Sequence, residues 1–200
     1  MLFLFSIILR VTSPSGTSSG FHQSYRIRGG IRMNVRKLTI AALLIALGVV
    51  TAHAVSIPVG VAKAFPMQHA INVISAVLLG TPMTVAVAFV ISLIRNIMGT
   101  GSLLAFPGSI FGAFLAGYLF SKTGRIHLAI AGEVFGTSIL GALSAYPVAK
   151  FLMGFEAAVF FFIIPFGVSA IAGGIIGFMV LGVLYKSNVV NTLMEGGRMS

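Results

Sequence analysis

From Leu38 onward the chain is a succession of apolar runs broken by short clusters of Gly, Pro, Lys and Arg. A helix needs about 20 apolar residues to cross a bilayer, and residues 38–185 have room for six such spans with short connections. The first covers Leu38–Val55; Ser56–Phe65, with Pro58, Gly60 and Lys63, reads as a loop. A short second span, Pro66–Leu79, stops at Gly80-Thr81-Pro82, and the third, Pro82–Met98, is closed by Gly99-Thr100-Gly101. The fourth runs over Leu103–Phe120, and Ser121–Arg125 forms a basic turn. The fifth covers Ile126–Phe151, and Gly154 marks the next turn. The sixth, Phe155–Tyr185, exceeds the bilayer and is expected to tilt or to break at Pro165. The fold class expected is therefore an all-α membrane protein, a six-transmembrane-helix bundle.

Composition supports lipid as the solvent. The chain is 58% hydrophobic and 8% charged, whereas soluble domains carry about 25% charged residues. A net charge of +10 could suggest nucleic acid, but there is no basic helix face or basic cluster interleaved with aromatics. The cations sit at span ends instead. By the positive-inside rule the N-terminus is cytoplasmic, since Arg36, Lys37, Lys122, Arg125 and Lys186 then lie inside and only Lys63, Arg95 and Lys150 near the other face. Six spans return the C-terminus, with a short tail over residues 188–200, to the cytoplasm. Residues 1–32 look different: an apolar start too short to span, then a Ser/Thr/Gly/Pro-rich stretch at Thr12–Gly20 that reads as disordered. Met33 is the expected natural start and 1–32 a non-native or disordered extension, with an amphipathic anchor as the competing reading.

Polar side chains are costly within a bilayer, so each one is a candidate functional group. Gln68, His69 and Asn72 share one face near the outer end of the second span. Ser92, Arg95 and Asn96 end the third; Phe106 and Pro107 open the fourth; Ser144 and Tyr146 end the fifth; Glu156 and Phe160 open the sixth. Convergence at one depth is what a pocket open to the outside produces. Each member also has a plainer reading. Gln68, His69 and Asn72 could sit at the headgroups, Arg95 could reach outer phosphates, and Tyr146 could belong to an aromatic belt. Phe160–Phe162 could pack, His53 could be interfacial, and Lys150 with Glu156 could form a solvated rim. Glu133 lies deeper, on a stripe with Thr137, Gly141 and Ser144, where a carboxylate must be neutral, paired or hydrogen-bonded. A supporting role there competes with direct binding. Small residues recur every fourth position at Ala42 and Ala46, at Gly108, Gly112 and Ala116, and at Ser169, Gly173 and Gly177, which permits close helix approach.

Absences narrow the function. No phosphate-binding Gly-x-x-x-x-Gly-Lys-Ser/Thr loop occurs, so the chain is not expected to hydrolyse ATP. There is no Asp or Cys and there are only three Glu, which disfavours paired-carboxylate catalysis and metal sites. No cofactor is expected.

The opening Arg36–Gly48 resembles the first helix of S components of energy-coupling factor (ECF) transporters. More specifically, Lys63–Asn72, Ser92–Asn96, Leu104–Ser109 and Gly132–Thr137 are similar to the ThiW family, over roughly Met33–Tyr185. That resemblance implies an S-component-like bundle binding hydroxyethylthiazole, the thiazole precursor of thiamine, at the extracellular side of the plasma membrane. It further implies a lid at Ser56–Phe65 including Lys63 and Phe65. The implied partners are a transmembrane coupling subunit, met by Ala42 and Ala46, and two cytosolic ATPases that use the ATP. Phe106 and Tyr146 are the expected stacking surface; Gln68, His69, Asn72 and Asn96 the hydrogen-bonding groups; Arg95 an orienting or tail-binding group. The alternatives are an S component for another vitamin, a stand-alone transporter or channel, and an intramembrane enzyme using His69 or Glu133.

Overall fold

A computed structural model of the chain describes residues 25–26, 32–33, 35–54, 56–59, 62–154 and 158–187. Among these are six helices: α1 (Val35–Ala54), α2 (Pro66–Leu79), α3 (Thr81–Ile97), α4 (Ala105–Thr123), α5 (Ile126–Leu152) and α6 (Ile163–Lys186). By length and apolarity α1, α5 and α6 can each cross a membrane alone, whereas α2 and α3 are shorter apolar helices. Helix α4 is diluted by Gly108, Gly112, Gly117, Ser109 and Lys122.

Two short antiparallel pairs precede α1 and α2. Strands β1 (Tyr25–Arg26) and β2 (Arg32–Met33) pair ahead of α1, and the expected disordered stretch Thr12–Gly20 lies outside the described residues. Strands β3 (Ile57–Val59) and β4 (Ala62–Ala64) pair with Ile57 opposite Ala64, so the segment expected to be a loop carries a hairpin. Three-residue strands containing a proline leave almost no periodic signal. The sixth helix also starts later than expected. It begins at Ile163, with Pro165 in its first turn, where a missing N–H costs no helical hydrogen bond.

Helix α2 is the post around which the rest is built, packing against α1, α3, α4, α5 and α6. All of its residues except Met67 and Leu78 are buried. Pro66 fixes its first turn after extended Phe65, and Gly80 at φ +81°, a conformation other residues resist, ends it and starts α3. With 14 residues it is about 21 Å long, well short of a 30 Å hydrocarbon core. Its C-terminal half supplies Val73, Ile74 and Val77 to an apolar core with Leu44, Ile91 and Leu181. Its N-terminal half carries Gln68, His69 and Asn72, all buried. Outside this post, Phe114, Ile171, Ile175, Phe178 and Val183 turn outward, the arrangement of a lipid-facing surface.

Helix α5 is not a uniform α-helix. Gly136–Gly141 and Val148–Leu152 are π-helical. The reason is in its buried stripe: Ala129, Glu133, Thr137, Gly141, Ala145 and Ala149 recur at a strict four-residue interval and are all buried. An α-helix with 3.6 residues per turn would rotate such a stripe by about 40° at each step. The wider π turns cancel that drift and hold the whole stripe against the bundle.

Candidate functional site

A cavity of about 430 Å³ lies above the N-terminal end of α2. The shortness of α2 creates it, since neighbouring helices continue past the point where Phe65 turns the chain into the hairpin. Its polar wall comes from Gln68 and His69 on α2, Arg95 on α3, Ser109 on α4, Thr137 on α5 and Ser169 on α6. Its aromatic wall is Phe65, Phe161, Phe162 and Phe166, with Phe162 lying 5.2 Å from Phe161 and 6.0 Å from Phe166 between ring centroids. The hairpin and its linker contribute Lys63 and Phe65. The Phe65 N–H donates to Ser169 Oγ at 2.8 Å, and its ring lies 4.1 Å from the Arg95 guanidinium carbon. The base of the hairpin is thus tied to both α6 and α3.

Beneath the cavity two polar networks meet in α2. In the first, Glu133 Oε1 accepts from Asn72 Nδ2 at 2.9 Å and from Thr137 Oγ1 at 3.4 Å, and lies 2.8 Å from His69 Nδ1. An oxygen already serving as acceptor requires the proton on His69 Nδ1, which leaves Nε2 as the ring's remaining hydrogen-bonding atom. Asn72 also donates to Ser109 Oγ at 3.2 Å, and its Oδ1 and Glu133 Oε2 find no partner among the described residues. In the second, Gln68 Nε2 donates to Ser92 Oγ at 2.8 Å, and Arg95 donates through Nη1 to Gln68 Oε1 and through Nη2 to Thr100 O. Asn96 Nδ2 bonds Ser92 O at 2.8 Å and Ser102 O at 3.0 Å, which fixes the α3–α4 turn. A carboxylate buried at 0% exposure is tolerable in lipid because three side chains donate to it.

The expected site residues fall into three groups. Gln68, His69, Arg95, Lys63 and Phe65 line the cavity. Asn72, Glu133 and Asn96 do not line it but hold the residues that do. Phe106 and Tyr146, expected as the stacking surface, do neither. Phe106 packs 5.5 Å from Phe89, itself exposed on the outer face, and Tyr146 lies 5.9 Å beneath Lys150 Nζ. Phe106 lies toward α3 through its contact with Phe89 and is not on the cavity wall. Phe161, Phe162 and Phe166 line the cavity instead; Phe160 is 67% exposed. The i,i+4 spacing of Phe162 and Phe166 was the available signal. Glu156 and the His53 side chain lie outside the described residues. Ala42 and Ala46 are both exposed on α1, on the face that also carries Leu38 and Val50.

No hydroxyl bonds to His69 Nε2 among the described residues, and Thr137 approaches the same Nδ1 that meets Glu133. The dyad therefore fixes the orientation of the ring. The pattern that defines thiamine-precursor transporter proteins (ThiW) matches residues 38–187, three quarters of the chain. The chain belongs to the ThiW family. It is a membrane protein of a transporter family rather than an enzyme family, and a small ligand related to thiamine is its cargo. No curated protein and no solved structure matches it.

Proposed function

We propose that this ThiW chain is the substrate-binding S component of an ATP-driven ECF importer and that its cargo is hydroxyethylthiazole. The observation that carries this reading is the cavity above α2, in which an aromatic wall faces a wall of hydrogen-bonding groups. A five-membered aromatic ring with a hydroxyl arm needs both. The ring stacks among Phe65, Phe162 and Phe166, while His69 Nε2 and the amide of Gln68 meet the ring nitrogen and the hydroxyl. Glu133, Asn72 and Asn96 act by positioning these groups.

In this reading all six helices span the membrane, with both termini in the cytoplasm and the cavity toward the outside. Helices α2 and α3 complete the span together with the hairpin and the α3–α4 turn. The hairpin is the lid. Ala42 and Ala46 present small side chains where a transmembrane coupling subunit can approach closely, and two cytosolic ATPases bound to that subunit supply the energy. The chain binds, closes, reorients and releases without chemistry.

Calorimetric titration of the purified, folded chain with hydroxyethylthiazole and thiamine tests the cargo. Heat with the thiazole and none with thiamine is expected; silence with the thiazole overturns this assignment. Replacing Ala42 and Ala46 by Leu tests the partner. Binding by the isolated chain is expected to persist while uptake by cells carrying the coupling module is lost, and unchanged uptake would remove the docking role.

A further inference from the structure

We propose that the cavity is built for an anionic ligand, a small heteroaromatic compound bearing a phosphate or carboxylate group, whose charge is supplied to Arg95. The inference rests on the reading that the cavity is the cargo site, and sharpens which form of the cargo it takes.

Arg95 is 1% exposed and lines the cavity. A guanidinium is always charged, and a buried charge is stable only when paired. Among the described residues every partner of Arg95 is neutral: the Gln68 amide oxygen, the Thr100 carbonyl and the face of Phe65. The carbonyl end of α3, where Arg95 sits, contributes at most about half a negative charge. Its Nε, a buried atom, has no hydrogen-bond partner among the described residues. The single carboxylate among the described residues, Glu133, is committed to His69, Asn72 and Thr137 and does not line the cavity. The second cation on the wall, Lys63, is exposed and likewise meets no carboxylate among the described residues. Among the described residues the cavity wall therefore carries two cationic side chains, Arg95 and Lys63, and no carboxylate. A ligand bringing one anionic group completes that set, and the planar fork of arginine favours oxyanions.

The test uses the full chain in detergent or nanodiscs and matched pairs of probes. One pair is hydroxyethylthiazole and its phosphate monoester, with the corresponding thiazole carboxylate as a third arm; the other is benzyl alcohol and benzyl phosphate. The anionic member is expected to bind at least about tenfold more tightly in both pairs. Arg95→Gln is expected to remove that preference, lowering affinity for each anionic member at least about tenfold more than for its neutral partner, and Arg95→Lys to restore part of it. If Arg95→Gln does not fold, Lys63→Gln at an exposed position reads the same quantity, with the preference reduced about threefold or more. If the carboxylate binds as tightly as the phosphate, charge suffices; if the phosphate alone binds tightly, the oxyanion's shape matters as well, and either result supports the proposal. Equal affinity within the thiazole pair leaves the thiazole reading standing and overturns the anion. A silent thiazole pair beside a preference for benzyl phosphate does the reverse. If no aromatic anion binds to folded protein, or the preference survives both substitutions, the proposal is wrong.

Discussion

Gly112→Ala perturbs the Glu133 network without replacing any polar side chain. A Cβ at Gly112 would lie 2.8 Å from Glu133 Oε1 and closer still to Thr137 Oγ1, whereas ordinary contact begins near 3.4 Å. Helix α4 or the carboxylate must therefore yield by about 0.6 Å. The bonds to Oε1 from His69 Nδ1 and Asn72 Nδ2, now 2.8 and 2.9 Å, would stretch to the edge of hydrogen-bond range. Weakening one bond to a buried charge costs about 1.5–3 kcal/mol, and one added methyl in a tight core costs about 1–3 kcal/mol. The stability loss is shared between these, while the binding loss comes chiefly through His69, with the displaced wall residue Thr137 adding to it. A ring no longer held with its Nε2 in place forfeits about one ligand hydrogen bond, or about a tenfold loss of affinity. The assay is calorimetric titration of the folded variant with hydroxyethylthiazole, alongside a thermal melt. Gly182→Ala is the control, since nothing lies within 4 Å of its added Cβ. A Gly112→Ala protein that melts lower yet binds within about twofold of the parent would refute the claim that Glu133 governs the ligand through His69.

Other substitutions separate the walls of the cavity. Phe166→Ala is expected to weaken thiazole binding about tenfold, consistent with a stacking contribution near 1 kcal/mol plus lost burial, while Phe106→Ala leaves the affinity unchanged in the same titration. Gly173→Val should unfold or strongly destabilise the chain, because even a Cβ there would fall 2.6 Å from His69 Cβ and against Pro66 O; a melt within about 2 °C of the parent would disprove that tight α2–α6 approach. Glu133→Ala should cost about 3–5 kcal/mol in denaturation, since three donors lose their acceptor at once, and Glu133→Gln should recover part of it.

How much of this was legible depends on what each residue has to satisfy. Helix α2 was read at both ends because Pro66 and the Gly80-Thr81-Pro82 cluster act through local backbone chemistry. Gln68, His69 and Asn72 were legible as a group because three polar residues on one face of an apolar helix have few inexpensive places to go. Their division into a lining pair and a supporting Asn72 was not, since it depends on where α4 and α5 stand around α2. The same limit misplaced Phe106 and Tyr146: sequence gives depth along a span, and lateral direction comes from packing. The hairpin was missed because three-residue strands carry too little pattern. The π turns of α5 were half visible, in the Glu133, Thr137, Gly141 stripe, but the interval becomes diagnostic only with Ala145 and Ala149 known to be buried.

That interval makes α5 sensitive to length as well as to side chains. Deleting one residue between Gly141 and Ala145, in the α-helical stretch that separates the two π segments, would rotate the outer half and swing Ala149, which lines the cavity, away by roughly 100°. Lys150 or Phe151, both exposed at present, would take its place. In this stretch a frame-preserving codon loss is therefore expected to do more harm than most single amino-acid exchanges.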